Sequence, residues 1–365
     1  MRGRRPIHYM RWGIAMREVR FGIIGCGAVG QSMGGADVYN GIGEWHAKFI
    51  NERPDARVVA CADISEQNAR AFAAKFGLDR IHTDHRELLA REDVDAVTIC
   101  TPSGTHGAIA IAAAGAGKHA LSEKPLETTI EKAEAAIAAH ERAGTRLSVV
   151  FQNRFSRATQ AIKKALADGT FGRPLIANAM CRRYRTEEYY ARSGWRGTWA
   201  MDGGGACMNQ GIHMIDTFIY LLGEPRSVYA RTGTLGHAIE VEDGAAAVVA
   251  FASGCIGVIE CTTCAYPDFG DSIVIHGERG SVEVEGLPAT VKRWEPMDES
   301  QRRSLDEFVE PGHEEYRLHR HVYDDFVDAI LNDRPPSVDG REGLRSLRLI
   351  HAVYESGRTG KPLEL

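Results

Sequence analysis

A chain of 365 residues is longer than a single domain of ~150, and 44% hydrophobic with 25% charged residues is an ordinary globular composition, which excludes a disordered, collagen-like or disulfide-stapled miniature protein. Forty-four lysines and arginines against 49 aspartates and glutamates leave a net charge of −5, with no broad basic surface to gather nucleic acid or anionic lipid. No window reaches the ~20 consecutive apolar residues of a membrane helix, and a small neutral or anionic ligand in a pocket fits best.

The first sixteen residues, MRGRRPIHYMRWGIAM, hold no apolar stretch long enough for a signal-peptide core. Residues 1–16 are expected to be a flexible leader, or a start assigned upstream of Met16. From Val19 onward come short, nearly continuous apolar runs: VRFGIIGCG, RVVACAD at 57–63, DAVTICTP at 95–102, KHALSEKP at 118–125 and RLSVVFQN at 146–153. Such runs mark strands covered on both faces. Helical stretches such as EQNARAFAAKFG and TTIEKAEAAIAAHERAG separate them, so residues 17–150 are expected to form an α/β domain with a parallel, doubly wound sheet. His82 and His85 lie near a short third strand and are given no role.

Gly25-Cys26-Gly27-Ala28-Val29-Gly30 directly follows the first strand, where a dinucleotide fold places its phosphate-binding turn. Glycine lets the backbone approach a pyrophosphate, and the next helix offers unpaired N–H groups to its charge. Asp63 ends the second strand, where a carboxylate accepts hydrogen bonds from the adenosine ribose and repels a 2′-phosphate, favouring NAD over NADP. Its competing role is an N-cap for the helix beginning near Ser65. Asp63 lies 33 residues past Gly30, whereas ~20 is usual. Gly41-Ile42-Gly43 offers a second glycine turn opening a helix. Residues 28–40 then read as an insertion, with Gly25 and Gly27 making the turn and Gly43 filling the third glycine role; the rival reading starts the helix at Gly30.

Beyond Phe155 the alternation stops, and PLIANAMCRRY, SVYARTGTL, GAAAVVAFASGCIGVIECTTC, SIVIHG, SVEVEG and TVKRW follow as longer strand candidates. A hairpin turn is expected at Ser253-Gly254. Residues 151–365 are expected to form an α+β domain around a mostly antiparallel sheet. Most of the eight cysteines, among them Cys26, Cys61, Cys100 and Cys255, sit in apolar runs and read as reduced core thiols of a cytoplasmic protein. Cys261 and Cys264 form a lone CxxC in a strand, where residues three apart point to opposite faces, so no metal site is expected. His319, Arg320 and His321 open the helix HRHVYDDFVDAIL and read as a solvated face.

The runs GIIGCG, CTPSGTH at 100–106, SEKP at 122–125, FQNRF at 151–155 and DGGGACMNQGIHMID at 202–216 together resemble the glucose-fructose oxidoreductase / inositol dehydrogenase / rhizopine catabolism (Gfo/Idh/MocA) family. The likeness extends from about residue 19 to the closing RPPSVDGREGLRSLRLIHAVYESGRTGKPLEL. It implies a Rossmann domain joined to a domain with a large, open-faced antiparallel sheet. It also implies hydride transfer between NAD(P) and a secondary alcohol or ketone of a sugar, cyclitol or nucleotide-sugar.

Oxidising such an alcohol needs a base for the hydroxyl proton. Lys124 follows the fourth strand on the side where ligands of such folds bind, and the resemblance puts it beside the reacting hydroxyl. His213 is the second catalytic candidate. Asn209, four residues earlier, would share its helical face if the helix begins by then. Many relatives carry aspartate where Asn209 stands; asparagine orients without charge, which weakens His213 as a base and shifts weight to Lys124. The resemblance aligns Thr101, Pro102 and His106 with a loop near the nicotinamide and Glu123 with a cofactor-ribose contact. Gln152 and Asn153 follow a strand at the domain junction, within reach of nicotinamide or substrate. Arg154, Arg182, Arg183, Arg185 and Arg196 suit a phosphorylated or carboxylated substrate, with surface or domain-bridging roles competing. Trp195 and Trp199 offer faces for sugar C–H groups. Arg154, Trp195, Arg196 and Asn153 join Asn209 and His213 as substrate contacts.

Two other functions remain open on these residues: a glycosidase using tightly held NAD for transient oxidation, and a non-catalytic dinucleotide-binding regulator. An uncovered apolar sheet face is costly in water, so a homodimer or homotetramer is expected.

Overall fold

The computed structural model describes residues 18–27, 41–286, 289–312 and 317–365. The leader 1–16, Gly30 and the insertion 28–40 lie outside the described residues.

The first sheet has six parallel strands: β1 (Val19–Ile24), β2 (Ala56–Ala62), β3 (Ile81–His82), β4 (Ala96–Ile99), β5 (His119–Ser122) and β6 (Leu147–Val149). Their order is β3-β2-β1-β4-β5-β6, so the chain reverses direction between β1 and β4 and opens a crevice at their carboxyl ends. All four residues of β4 are buried, as expected of a strand covered on both faces. The helices between the strands are α1 (Ile42–Asn51), α2 (Glu66–Phe76), α3 (His85–Leu89), α4 (His106–Gly115) and α5 (Ile130–Ala143). Local chemistry sets their ends. The Thr129 side chain accepts from Lys132 N to start α5, and Gly144 at φ +67° ends it.

The second sheet holds β7 (Pro174–Arg182), β8 (Pro225–Gly233), β9 (Gly244–Phe251), β10 (Ile256–Thr262), β11 (Gly270–Gly277), β12 (Gly280–Glu285), β13 (Thr290–Pro296) and β14 (Leu363–Glu364). Its order is β13-β12-β11-β7-β10-β9-β8-β14, antiparallel throughout except where β7 runs beside β10. The expected hairpin turn joins β9 to β10, with Gly254 at φ +84°. On β9, Ala245, Ala247, Val249 and Phe251 are buried while Ala246, Val248 and Ala250 are exposed, so one face is covered and the other open. The remaining helices are α6 (Arg157–Ala167), α7 (Glu187–Ala191), α8 (Ile212–Leu222), α9 (His319–Leu331) and α10 (Gly340–Thr359). α8 packs against the covered face at β7 and β11.

Helix α9 crosses back to the first sheet. Val322, Tyr323, Phe326 and Val327 join Phe21, Phe49 and Ile50 in one buried cluster beside α1 and β1. Residue 150 therefore separates two sheets along the chain, whereas the first core is completed by a helix from the second half. His319, read as part of a solvated face, is only 2% exposed. The reason is spacing: residues 319, 322, 323, 326 and 327 form one apolar helical stripe, and His319 lies on it.

Candidate active site

The crevice starts at the glycine turn. Gly25 has φ +97°, and a Cβ there would lie 2.7 Å from the Cys100 carbonyl group, so only glycine fits. Helix α1 begins at Ile42, and a Cβ on Gly43 would lie 2.7 Å from the Gly25 oxygen. Of the two readings of this segment, the one with the helix opening beside Gly43 matches the structure. The α1 N-cap, Gly41, has no side chain to occupy the first N–H groups of the helix. Asp63 stands at the end of β2; its Oδ2 accepts from Cys26 N at 2.8 Å and Gly27 N at 2.9 Å, and its Oδ1 from Ser65 N at 2.8 Å. The cap of α2 itself is the Ser65 side chain, which accepts from Asn68 N. A bare-backbone turn, open helix N–H groups and a carboxylate at the next strand fit a dinucleotide.

At the far end of the crevice Glu123 follows β5. Its Oε1 lies 2.8 Å from His46 Nε2 and 3.8 Å from His319 Nε2. The other His46 nitrogen, Nδ1, lies 2.7 Å from the Tyr323 hydroxyl, which meets Thr98 Oγ1 at 3.0 Å. Burial pushes the Glu123 carboxyl up, but His319 and His46 outweigh it and hold its pKa well below the usual range. His106 is a strut: its ring nitrogens lie 2.7 Å from the carbonyls of Pro125 and Thr101. It thereby fixes the loop of Thr101 and Pro102 against the residue after Lys124. Gly104 N donates to the Met201 carbonyl at 2.9 Å, tying that loop to the second half of the chain.

Lys124 Nζ donates to the Asn209 carbonyl oxygen at 2.9 Å. Burial lowers its pKa, with nearby Arg196 adding to the effect against the attraction of Glu123 and Asp202. Residues Ala206–Gly211 form a π-helical turn, and regular α-helix starts only at Ile212. That changes the role of Asn209, expected to share a face with His213. Its Nδ2 donates instead to Asp202 Oδ1 at 2.5 Å, while its Oδ1 accepts from Gln210 Nε2 at 2.6 Å. Asp202 is buried and takes Gly197 N at 2.9 Å on its other oxygen. His213 packs edge-on against Phe151, its Nδ1 buried with no partner, and burial together with the Lys124 charge lowers its pKa to about 3.

Other polar atoms around Lys124 and His213 are also unpaired. Gln152 Oε1 and both side-chain atoms of Asn153, a residue 3% exposed, meet no protein partner. Trp195 is half-buried beside Arg196, whose guanidinium carbon lies 5.0 Å from its ring centre. Arg154 leaves the substrate-binding group. Its Nε and one terminal nitrogen hold Asp216 at 2.8 and 2.7 Å, and the other holds Glu342 at 2.7 Å, so its fork is full. Arg183 is likewise bound to Asp271. Arg182 ends β7 on the open face, over Phe269, away from the site.

Asp202, Tyr189, Glu242, His46 and Tyr323 were not singled out by residue pattern. Glu242 clamps the start of the π-helical turn: its carboxylate accepts from Gly205 N at 2.8 Å, Cys207 N at 2.8 Å and the Tyr354 hydroxyl at 2.9 Å. Adjacent acids at the start of β9 were the only signal for it.

Two family models match the chain: an oxidoreductase family with an NAD-binding Rossmann fold over residues 19–151 and the GFO/IDH/MocA C-terminal domain over residues 159–283. Among curated relatives, myo-inositol 2-dehydrogenase of Thermotoga maritima is 28% identical over 93% of this chain and 96% of its own. The 1,5-anhydro-D-fructose reductase of Ensifer adhaerens is 30% identical over 84% and 91%. Among solved structures, the WlbA dehydrogenase of Bordetella pertussis in complex with NADH and UDP-GlcNAcA superposes with a TM-score of 0.84 at 35% identity, covering 96% of this chain and 99% of that one.

Proposed function

The chain belongs to the Gfo/Idh/MocA oxidoreductase family, and from that premise we propose that residues 17–150 hold NAD, residues 151–365 hold the substrate, and Lys124 exchanges the hydroxyl proton. The protein is an NAD(P)-dependent oxidoreductase that moves hydride between a nicotinamide and a secondary carbinol of a sugar, cyclitol or nucleotide-sugar. Nicotinamide, when bound, accepts or returns the hydride. Gly25, Gly27 and Gly43 shape the cradle for the dinucleotide pyrophosphate, Thr101, Pro102 and Gln152 lie toward the nicotinamide with Glu123 at its ribose, and His106 braces that lining.

The observation that carries this reading is Lys124 Nζ, held by the Asn209 carbonyl in the turn that leads into His213, where His213 Nδ1 is buried and unpaired. Because burial already disfavours its charge, Lys124 gives up its own proton more easily and can take one from the substrate hydroxyl. In the reverse direction the ammonium returns that proton to a developing alkoxide. Neutral His213, with Nδ1 unpaired, and the Asn153 amide orient the hydroxyls around it. Asn209 positions Lys124 through its carbonyl and is itself held by Asp202.

Asp63 supports NAD over NADP, since its carboxylate would repel a 2′-phosphate; Asp63→Ser should narrow the preference by about tenfold or more. The open sheet face, with Tyr229, Val248 and Ile256 exposed, supports a homodimer or homotetramer. Sedimentation of wild type against Val248→Glu tests it. Eight free cysteines are consistent with a reducing cytoplasm.

The experiment follows the reduced-nicotinamide absorbance band while protein with NAD, and separately NADP, meets aldoses, inositols, uronates and nucleotide-sugars. Turnover that Lys124→Ala abolishes supports the proposal. NAD binding without turnover across the panel overturns it in favour of the NAD-using glycosidase or the regulator.

A further inference from the structure

The arginines around the site divide by what holds them. Arg154 is neutralised by Asp216 and Glu342, and Arg183 by Asp271. Arg185, 9% exposed, spends its terminal nitrogens on the Tyr184 carbonyl at 2.9 Å and on Gln210 Oε1, pairs with Asp268 at 3.8 Å, and leaves Nε unpaired. Arg196 differs from all of these. Among the described residues no carboxylate forms an ion pair with it, and its buried Nε has no partner. Its guanidinium carbon instead lies 4.6 Å from the Tyr189 ring centre and 5.0 Å from that of Trp195. Aromatic faces hold a guanidinium in place without consuming any N–H, so the planar fork stays available.

Arg196 is also wired to the reacting centre. The next residue, Gly197, donates its N–H to Asp202; Asp202 holds the Asn209 amide, and the Asn209 carbonyl holds Lys124 Nζ. Tyr189, beneath Arg196, accepts from Gln210 Nε2 at 3.0 Å and donates to Asn209 Oδ1 at 3.4 Å. Asp202, the acid nearest to Arg196 along this chain, is 1% exposed and accepts from Gly197 N and Asn209 Nδ2; its charge acts on Arg196 through space, without an ion-pair contact. Arg196 is thus a guanidinium with an unspent fork, stacked on Tyr189 beside Arg185.

Resting on the oxidoreductase reading above, we infer that the substrate carries a permanent negative charge, a carboxylate or phosphate on the sugar, which seats on the Arg196 fork. Planar bidentate recognition of such an anion is what an unspent guanidinium provides. A neutral polyol would leave that fork unused beside Lys124. Anion binding there completes the site electrostatically and orients the carbinol toward Lys124.

Binding is measured first, because it does not depend on turnover. The NADH-loaded protein is titrated calorimetrically with D-glucuronate, D-glucose 6-phosphate, UDP-glucose and D-glucose. The expected result is that at least one anionic compound binds ten or more times tighter than glucose, and that raising KCl from ~50 to ~500 mM weakens it severalfold. Uronate, phosphate ester and nucleotide arms separate the sources of charge. Arg196→Gln is expected to erase the preference, while Arg196→Lys, which keeps the charge but loses the fork, restores part of it. Glucose binding as tight as the anions, or a preference that survives in Arg196→Gln, overturns the inference. The tightly bound anions are then given to the NAD-loaded protein, where tight binding without any nicotinamide reduction would overturn the oxidoreductase reading and leave the anion site standing.

Discussion

Two polar regions meet at Lys124, and they are built in opposite ways. Behind it, Glu123, His46, Tyr323 and Thr98 form a buried, hydrogen-bonded chain between α1, β4, β5 and α9. In front of it, Gln152, Asn153, Arg185, Arg196 and His213 each leave at least one buried polar atom without a protein partner. An unpaired buried polar atom costs about 1–3 kcal/mol, so a fold keeps several in one place only where a ligand supplies the missing bonds. We read the satisfied side as scaffold, with Glu123 also reaching the cofactor, and the unsatisfied side as the place proposed for substrate. Mutations on the first should therefore be read in stability and those on the second in activity.

The largest expected effect is on the open side. Lys124→Ala should lower kcat about 10³-fold, within the range for a lost acid–base group, while NADH affinity by fluorescence titration changes little. A collapse of NADH affinity instead would move Lys124 from the chemistry to the cofactor.

The mirror experiment breaks a filled ion pair. Arg154→Met leaves the buried Asp216 carboxylate without its partner, and denaturant unfolding should show a loss of about 3–5 kcal/mol. A loss under 1 kcal/mol would erase the distinction between Arg154 and Arg196.

His213 contributes to the pH dependence of stability, alongside buried His140, His46 and His351, whose pKa values burial also lowers. Its folded pKa of about 3 lies below the unfolded value, so below about pH 6.5 the unfolded chain binds a proton that the folded one refuses. Stability is lost as pH falls from there toward 3, by up to roughly 4 kcal/mol from this group. His213→Asn should remove its share and make that part of the stability profile less steep. Wild-type kcat/KM should show no limb near pH 6.5, whereas the lowered Lys124 pKa places a limb below the ordinary lysine range, where the rate of oxidation rises with pH as the amine becomes neutral and the rate of reduction falls.

The smallest effect sharpens the comparison most. Asn153→Leu replaces an unpaired buried amide by an apolar side chain of similar size, so stability should hold or rise by about 1 kcal/mol while kcat/KM falls. A large drop in melting temperature would mean that the amide serves the scaffold.

Much of this was legible from residue order. Alternating apolar runs specify the parallel sheet, because strands buried on both faces need apolar residues at every position. The turn at Gly25 and the hairpin at Gly254 follow from backbone conformations that favour glycine. Lys124, His213 and the glycine segment before His213 were marked by motif.

What only the tertiary structure decided is partnership. Arg154 and Arg196 look alike in sequence, yet one is enclosed by Asp216 and Glu342, 62 and 188 residues away, and the other rests on aromatic rings. His319 enters the cluster at Glu123 because α9 returns to the first sheet. Asn209 turns from His213 to Asp202 because the segment winds as a π turn before α8 begins. Local propensity and hydrophobic period are properties of neighbouring residues and can be read along a chain. Whether a buried charge or amide is satisfied depends on groups brought together from distant segments, and no local pattern records them.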